Sequence, residues 1–190
     1  MSKKLLIIMG SPRKDGIIAN TIAFALSEGE KVGWDITTIN VYDWNLQSCK
    51  GCMKCRKTGV CILEDNFAEI REQFINCDMV IIAAPTYLAN IPAPIKNVFD
   101  RLVGAVIEDT GETPKPKQTK RQKYLLVTAC TTRFPLNYLG WQSVGAIRAM
   151  NELCKIAGMK KCGQVILAGT RKQQTLNVNV KKKIKKVLYA

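Results

Sequence analysis

Four cysteines, Cys49, Cys52, Cys55 and Cys61, fall in the pattern C-x2-C-x2-C-x5-C. Thiolates two residues apart can wrap a single small centre, and Gly51 and Gly59 allow the tight turns that wrapping needs. Tetrathiolate zinc sites usually use two well-separated C-x2-C pairs. Three cysteines at successive two-residue gaps match [4Fe–4S] ligation instead. Zinc, or a set of thiols left without metal, is the alternative. Nearby lysines and Arg56 would offset the charge of four thiolates. The other cysteines, Cys77, Cys130, Cys154 and Cys162, stand singly and read as small buried apolar residues. The chain has no histidine, which removes Ser-His-Asp and Cys-His nucleophiles and every His-ligated metal site.

Two further segments carry polar chemistry. Gly10-Ser11-Pro12-Arg13-Lys14-Asp15-Gly16 follows an apolar run and precedes a helical pattern. A helix start there would offer free N–H groups and a positive dipole end to an anion. Ser11 and the forked guanidinium of Arg13 could grip phosphate, with Asn20 and Thr21 a turn further on as added donors. Neither G-x-G-x-x-G nor the P-loop pattern is present. The second segment is Pro85-Thr86-Tyr87-Leu88-Ala89-Asn90, stiffened by Pro85, Pro92 and Pro94. Its backbone N–H groups, from Thr86 to Asn90, and the Tyr87 ring could face a planar heteroaromatic group.

These residues need elements to position them. Near-continuous apolar or alternating runs predict strands at Lys4–Gly10, Trp34–Tyr42, Asp78–Ala84, Lys123–Cys130 and Gly163–Ala168. Helical spacing follows at Ile18–Leu26, Phe67–Phe74, Ile95–Val106, Ala146–Ala157 and Val178–Leu188. Asn66 and Glu69 are spaced as a capping box for the second of these. Glu108–Gln122 reads as a loop. The alternation predicts an α/β fold, a doubly wound five-stranded parallel sheet with helices on both faces. At this size the flavodoxin-like strand order 2-1-3-4-5 follows. The whole of 1–190 is expected to be one domain, with an inserted cysteine loop at 43–61 and a basic C-terminal helix at 174–190. Loops leaving the strands' C-terminal ends share one sheet edge, so Ser11–Ile17, Asp43–Cys61, Pro85–Pro94 and Thr131–Gly140 should converge.

The GSPR turn, the APTYLANIPAPIKNVFDR segment and the cysteine pattern between them resemble the NAD(P)H-dependent FMN reductase superfamily, and within it the iron–sulfur flavoproteins. The likeness covers about the first 105 residues. It implies that Ser11 and Arg13 hold the FMN phosphate and that Pro85, Thr86, Tyr87, Leu88, Ala89 and Asn90 line the isoalloxazine ring. It places Thr131 and Thr132 at the ring's polar edge, and a [4Fe–4S] cluster on Cys49, Cys52, Cys55 and Cys61. Asn20 and Thr21 come later than the family's Asn-Thr pair. The resemblance also implies homo-oligomers, in which one subunit's cysteine loop approaches a neighbour's flavin.

In 190 residues, 47% of them hydrophobic, there is material for a full core. No apolar run is long enough to span a bilayer, and the first run is too short for a signal peptide, so a cytoplasmic protein is expected. The formal net charge of +14 has local sources. One is Lys115, Lys117, Lys120, Arg121 and Lys123; the other is Arg171, Lys172 and the lysines between 181 and 186. Such a surface suits an acidic electron carrier such as ferredoxin. The sequence thus supports an FMN-dependent electron-transfer oxidoreductase carrying a [4Fe–4S] cluster, fed by NAD(P)H or a ferredoxin. Two readings stand beside it. One is a cluster-free NAD(P)H-dependent FMN or quinone reductase. The other is a zinc-stabilised basic module for nucleic acid, which no accompanying recognition motif supports.

Overall fold

A computed structural model describes residues 2–108, 113–117, 121–171 and 175–190. Lys120, Lys172, residue 174 and parts of the 108–122 segment lie outside the described residues. The chain runs β1 (Lys4–Met9), α1 (Ile17–Lys31), β2 (Asp35–Asn40), a 3-10 turn at Val41–Asp43, α2 (Lys54–Thr58), α3 (Phe67–Asn76) and β3 (Met79–Pro85). It continues through α4 (Ala93–Val106), β4 (Ile107–Glu108), β5 (Lys115–Pro116), β6 (Lys123–Ala129), α5 (Leu136–Leu139), α6 (Gln142–Ile156), β7 (Lys160–Leu167) and α7 (Val178–Leu188).

Five strands pair in parallel in the order β2-β1-β3-β6-β7. Without the short β4 and β5 this is the expected flavodoxin-like order 2-1-3-4-5. The central strands β1, β3 and β6 are apolar at successive positions because both sheet faces are covered. One face packs Leu6, Ile8, Val80, Ile82 and Leu126 against α3, α4 and α6. The other packs Leu5, Ile7, Ile81 and Val127 against α1 and α7. Among the described residues no helix is long and apolar enough to cross a membrane.

The structure departs from the sequence expectations in several places. The 108–122 segment is not wholly loop, because Ile107–Glu108 and Lys115–Pro116 pair as an antiparallel hairpin. Two-residue strands leave no periodicity to read. Asn66 makes no side-chain cap; the carboxylate one residue earlier does so, Asp65 Oδ1 accepting from Phe67 N at 3.1 Å. β7 begins at Lys160, before the apolar run, because it is an edge strand that tolerates lysines. The last helix starts at Val178, where Asn177 Oδ1 accepts from Val180 N at 2.9 Å. Cys77, Cys130 and Cys154 are buried, but Cys162 is only half-buried on that edge strand.

A buried acid clamps α7 to α1. Glu28 is 3% exposed and accepts from Lys31 Nζ at 2.8 Å and Tyr189 Oη at 3.1 Å, with Lys185 Nζ at 3.2 Å. The Lys31 ammonium, helped by Lys185 and Tyr189 and opposed by burial, holds its carboxyl down to about 2 from an ordinary 4.5. A carboxyl with a depressed folded pKa stabilises fully above the unfolded value and loses that contribution as pH falls through the folded one. Glu28→Gln should therefore lower the thermal midpoint at pH 7, and the gap to wild type should close between about pH 4.5 and 2. A gap that is constant over that range in thermal scans would disprove the clamp.

Candidate functional site

Two cavities stand out. One opens at the edge where the strands release the chain, while the other is walled by the 49–63 loop and α4 with no strand-end residue. Contrary to expectation, Asp43–Cys61 therefore does not join the other loops in one pocket. The larger, of about 580 Å3, is lined by Ser11, Arg13, Asp15, Gly16, Ile17, Ile18, Pro85, Thr86, Tyr87, Ala129, Cys130, Thr131, Thr170 and Arg171. It lies at the C-terminal ends of β1, β3, β6 and β7, where ligands bind in open α/β sheets.

Its first wall is the β1–α1 turn. Gly10 is needed there because a Cβ would sit 2.8 Å from the Ile95 side chain. Ser11 is buried, and its Oγ accepts from Arg13 N at 3.3 Å. Helix α1 starts after an extended Gly16, with no side-chain cap and no acidic residue in its first turn. Its orphan N–H groups and dipole therefore favour an anion, and Arg13 adds a full charge.

The second wall is the segment after β3. Thr86 N donates to Ala129 O at 2.8 Å, and the Thr86 and Thr128 hydroxyls lie 3.0 Å apart. Tyr87 N donates to Asn90 O at 2.8 Å and Asn90 N to Tyr87 O at 2.9 Å, which closes a tight turn. Leu88 and Ala89 at its tip have φ of 47° and 58°, and the Leu88 side chain is fully exposed. Left-handed conformations at two non-glycine residues cost energy and persist where surroundings hold them. Here the Ala89 carbonyl sits against Gly145 of α6, where a Cβ would meet it at 1.9 Å.

Of the sequence-predicted residues, Ser11, Arg13, Pro85, Thr86, Tyr87 and Thr131 share this cavity. Leu88, Ala89 and Asn90 form the turn beside it. Thr132 is turned aside, its hydroxyl donating to Gln142 Oε1 at 2.7 Å. Thr21 is fully buried and donates to Ile17 O at 2.7 Å, an intrahelical bond rather than an open donor. Asn20 is half-buried in the same helix and does not line the cavity. Thr21→Val is accordingly expected to change the affinity for a phosphate-bearing flavin by less than about twofold, read by fluorescence titration, since no hydrogen bond to ligand is removed. Arg171, Thr170 and Cys130 also line the cavity, although the sequence assigns Arg171 to the basic surface and Cys130 to the apolar core. Thr170 is tied in by its N–H and hydroxyl, both donating to Cys130 O, at 3.1 and 3.0 Å.

The second cavity, of about 170 Å3, is lined by Cys49, Cys52, Cys55 and Cys61 together with Met53, Ile62, Leu63, Arg101 and Val103. Cys49 and Cys52 are exposed and Cys55 and Cys61 half-buried. Among the described residues no three sulfurs or carboxylates converge on a single ligating point. One face of α4 seats the loop. Asn97 Oδ1 accepts from Cys49 N at 2.9 Å, and Asn97 Nδ2 donates to Gln47 O at 3.0 Å. Gly104 lets the Cys55 backbone approach so closely that a Cβ would lie 2.5 Å from Cys55 O.

Between Asn97 and Gly104 stands Arg101, 2% exposed inside an otherwise apolar helix face. It donates to Asp65 through Nη1 at 2.6 Å and Nη2 at 2.8 Å, and from Nη1 to Gln47 O at 3.1 Å. It lies 4.2 Å from the centre of the Phe67 ring. Burial works against the guanidinium charge, but Asp65 and then Cys61 more than restore it. Arg101 holds the Asp65 carboxyl at about 2, against burial and with help from Gln47 N and Phe67 N. An arginine interrupting the Ile95–Val106 apolar pattern was the available signal for this pair.

A third hollow, lined by Tyr42, Trp44, Leu46, Ser48 and Asn97 among others, lies between the two. Tyr42, whose hydroxyl is raised in pKa by burial and by Tyr87, lines this hollow, as does Asn97, whose Oδ1 accepts from Cys49 N.

An open parallel sheet of order β2-β1-β3-β6-β7 with an anion-ready first turn and a rigid third loop defines a flavodoxin-like α/β protein. A family model for NADPH-dependent FMN reductase matches residues 3–133, and the chain belongs to that family. Curated proteins called iron–sulfur flavoprotein are similar over one stretch. The one from Methanosarcina thermophila is 36% identical over 100 residues, 53% of this chain and 52% of that protein. One from Archaeoglobus fulgidus is 32% identical over 100 residues, 53% of this chain and 46% of its own. The chain thus spans about half the length of the curated relatives it matches. Among solved structures, an FMN-dependent NADH-azoreductase from Bacillus anthracis in complex with FMN superposes with a TM-score of 0.77 at 17% identity, covering 98% of both chains. An NAD(P)H:quinone oxidoreductase from Methanothermobacter marburgensis gives 0.74 at 14% identity, covering 100% of this chain and 97% of its own. At those identities the likeness is one of fold.

Proposed function

We propose that the chain binds FMN in the larger cavity and serves as an FMN-dependent electron-transfer oxidoreductase, with a [4Fe–4S] cluster on Cys49, Cys52, Cys55 and Cys61. One observation carries this reading. An anion-ready cavity at the sheet edge and a separate cavity lined by all four clustered cysteines, seated on α4, occur in one chain.

The residues fit both groups. A volume of about 580 Å3 is ordinary for a small-molecule site. Its cation and uncapped helix start suit a phosphate, and Pro85, Tyr87 and Ala129 supply apolar walls. In the smaller cavity four thiols and no competing histidine suit an iron–sulfur centre. Ligation would draw the exposed Cys49 and Cys52 inward. Bound FMN supplies two-electron exchange with a nicotinamide and one-electron exchange with a cluster or carrier. The chain's own part is positional. Ser11, Arg13 and the α1 start fix the phosphate, while the tight 87–90 turn fixes the ring's side. NAD(P)H or an acidic, ferredoxin-like carrier is the proposed donor, and residues 1–190 act as one unit within a homo-oligomer.

A cluster-free NAD(P)H-dependent FMN or quinone reductase is the second reading, favoured by the family match over residues 3–133. Anaerobic purification followed by a visible spectrum and assay of FMN, iron, sulfide and zinc decides between them. Stoichiometric FMN with about four iron and four sulfide per chain is expected for a cubane cluster. FMN without iron, bleached by NADPH, selects the reductase; zinc without FMN rejects both.

A further inference from the structure

We propose that Arg101 is a positioning residue for the cysteine site. Its guanidinium hydrogen-bonds the Cys61 sulfur and sets both how tightly the four-thiolate centre is held and at what potential it accepts an electron. This rests on the cluster reading above.

Arg101 lines the cysteine cavity yet has no contact in the flavin cavity. Its fork toward Asp65 uses Nη1 and Nη2, and the second Nη1 hydrogen goes to Gln47 O. Nε–H is buried and has no hydrogen-bond partner among the described residues. A buried unpaired donor on a charged group costs free energy unless something answers it. Cys61 lines the same cavity as this guanidinium and favours its charge. Asp65 neutralises the overall charge, so the pair presents the cavity with a directed donor rather than a bare cation. Hydrogen bonds to cluster sulfurs raise a cluster's potential and hold its ligands in place.

The pair can be made neutral without stranding a charge. Arg101→Gln with Asp65→Asn keeps an acceptor for one of the two backbone donors, Gln47 N or Phe67 N, and removes the fork and Nε–H. The full chain is reconstituted anaerobically with iron and sulfide. Three quantities are then measured, namely FMN stoichiometry, the rate of iron release to a chelator, and the cluster midpoint potential. The double variant should retain FMN, release iron at least about tenfold faster, and shift its potential negative by at least a tenfold change in electron affinity, about 59 mV for one electron. Unchanged release and potential would overturn the role. Should the double variant not fold, Arg101→Lys, which keeps the charge but not the Nε–H donor, is judged by the same shifts. A wild-type chain that takes up no iron overturns the cluster reading itself, and this role with it, in a way that the variants' behaviour cannot mimic.

Discussion

Replacing Arg13 with Gln is expected to weaken FMN binding about 10- to 100-fold while changing riboflavin binding by less than about twofold. The range follows from losing one charged hydrogen-bonding contact, worth about 1.5–3 kcal/mol, at tenfold per 1.4 kcal/mol. The phosphate would keep Ser11 and the N–H groups of the first turn of α1, so binding should fall rather than vanish. Quenching of flavin fluorescence, titrated with each ligand, separates the two effects. Equal losses for both flavins would mean that Arg13 shapes the loop instead of meeting the phosphate. No loss for either would move the phosphate towards Arg171, the other arginine lining the cavity.

Gly104→Ala should remove iron while sparing flavin. The added methyl would sit 2.5 Å from Cys55 O and 2.6 Å from both its carbonyl carbon and its Cβ. Backbone cannot yield as a flexible side-chain tip does, so α2 has to lift away from α4. Overpacking of this kind costs about 1–3 kcal/mol. That strain falls on the helix that carries Cys55, and Gly104 is not among the residues lining the flavin cavity. Iron per chain after reconstitution should drop at least about tenfold, with FMN content unchanged and a modest fall in the apoprotein's thermal midpoint. Full iron loading in Gly104→Ala would show that the loop binds its centre without seating on α4.

Much of this arrangement was legible beforehand because buried parallel strands write themselves as apolar runs. Leu5–Met9 and Met79–Ala84 read as buried strands from their length and flanks, and the order of the strands followed from alternation with helices. The cysteine loop and the first turn announced themselves by residue type. What escaped was whatever depends on tertiary partners. Arg101 and Asp65 are 36 residues apart, and nothing local says that they meet. Thr21 looks like a donor in sequence, yet its hydroxyl turns back to Ile17 O. Asn66 has the right spacing for a cap, but its neighbour Asp65 performs it because Arg101 already holds that carboxylate in place. Arg171 reaches the larger cavity only because the loop after β7 is bonded to Cys130.

The seating of the cysteines on one helix face has a wider corollary. The 43–66 excursion leaves after β2, an edge strand, and rejoins at α3, so it interrupts no rung of the central ladder. Its anchors on α4 are Asn97, Arg101 and Gly104, and Arg71 of α3 adds a bond from Nε to Gly59 O at 2.9 Å. Such an excursion is a portable module. Transplanted with those four side-chain identities into a scaffold that lacks thiols, it would carry its geometry along and leave the host's nucleotide pocket as it was.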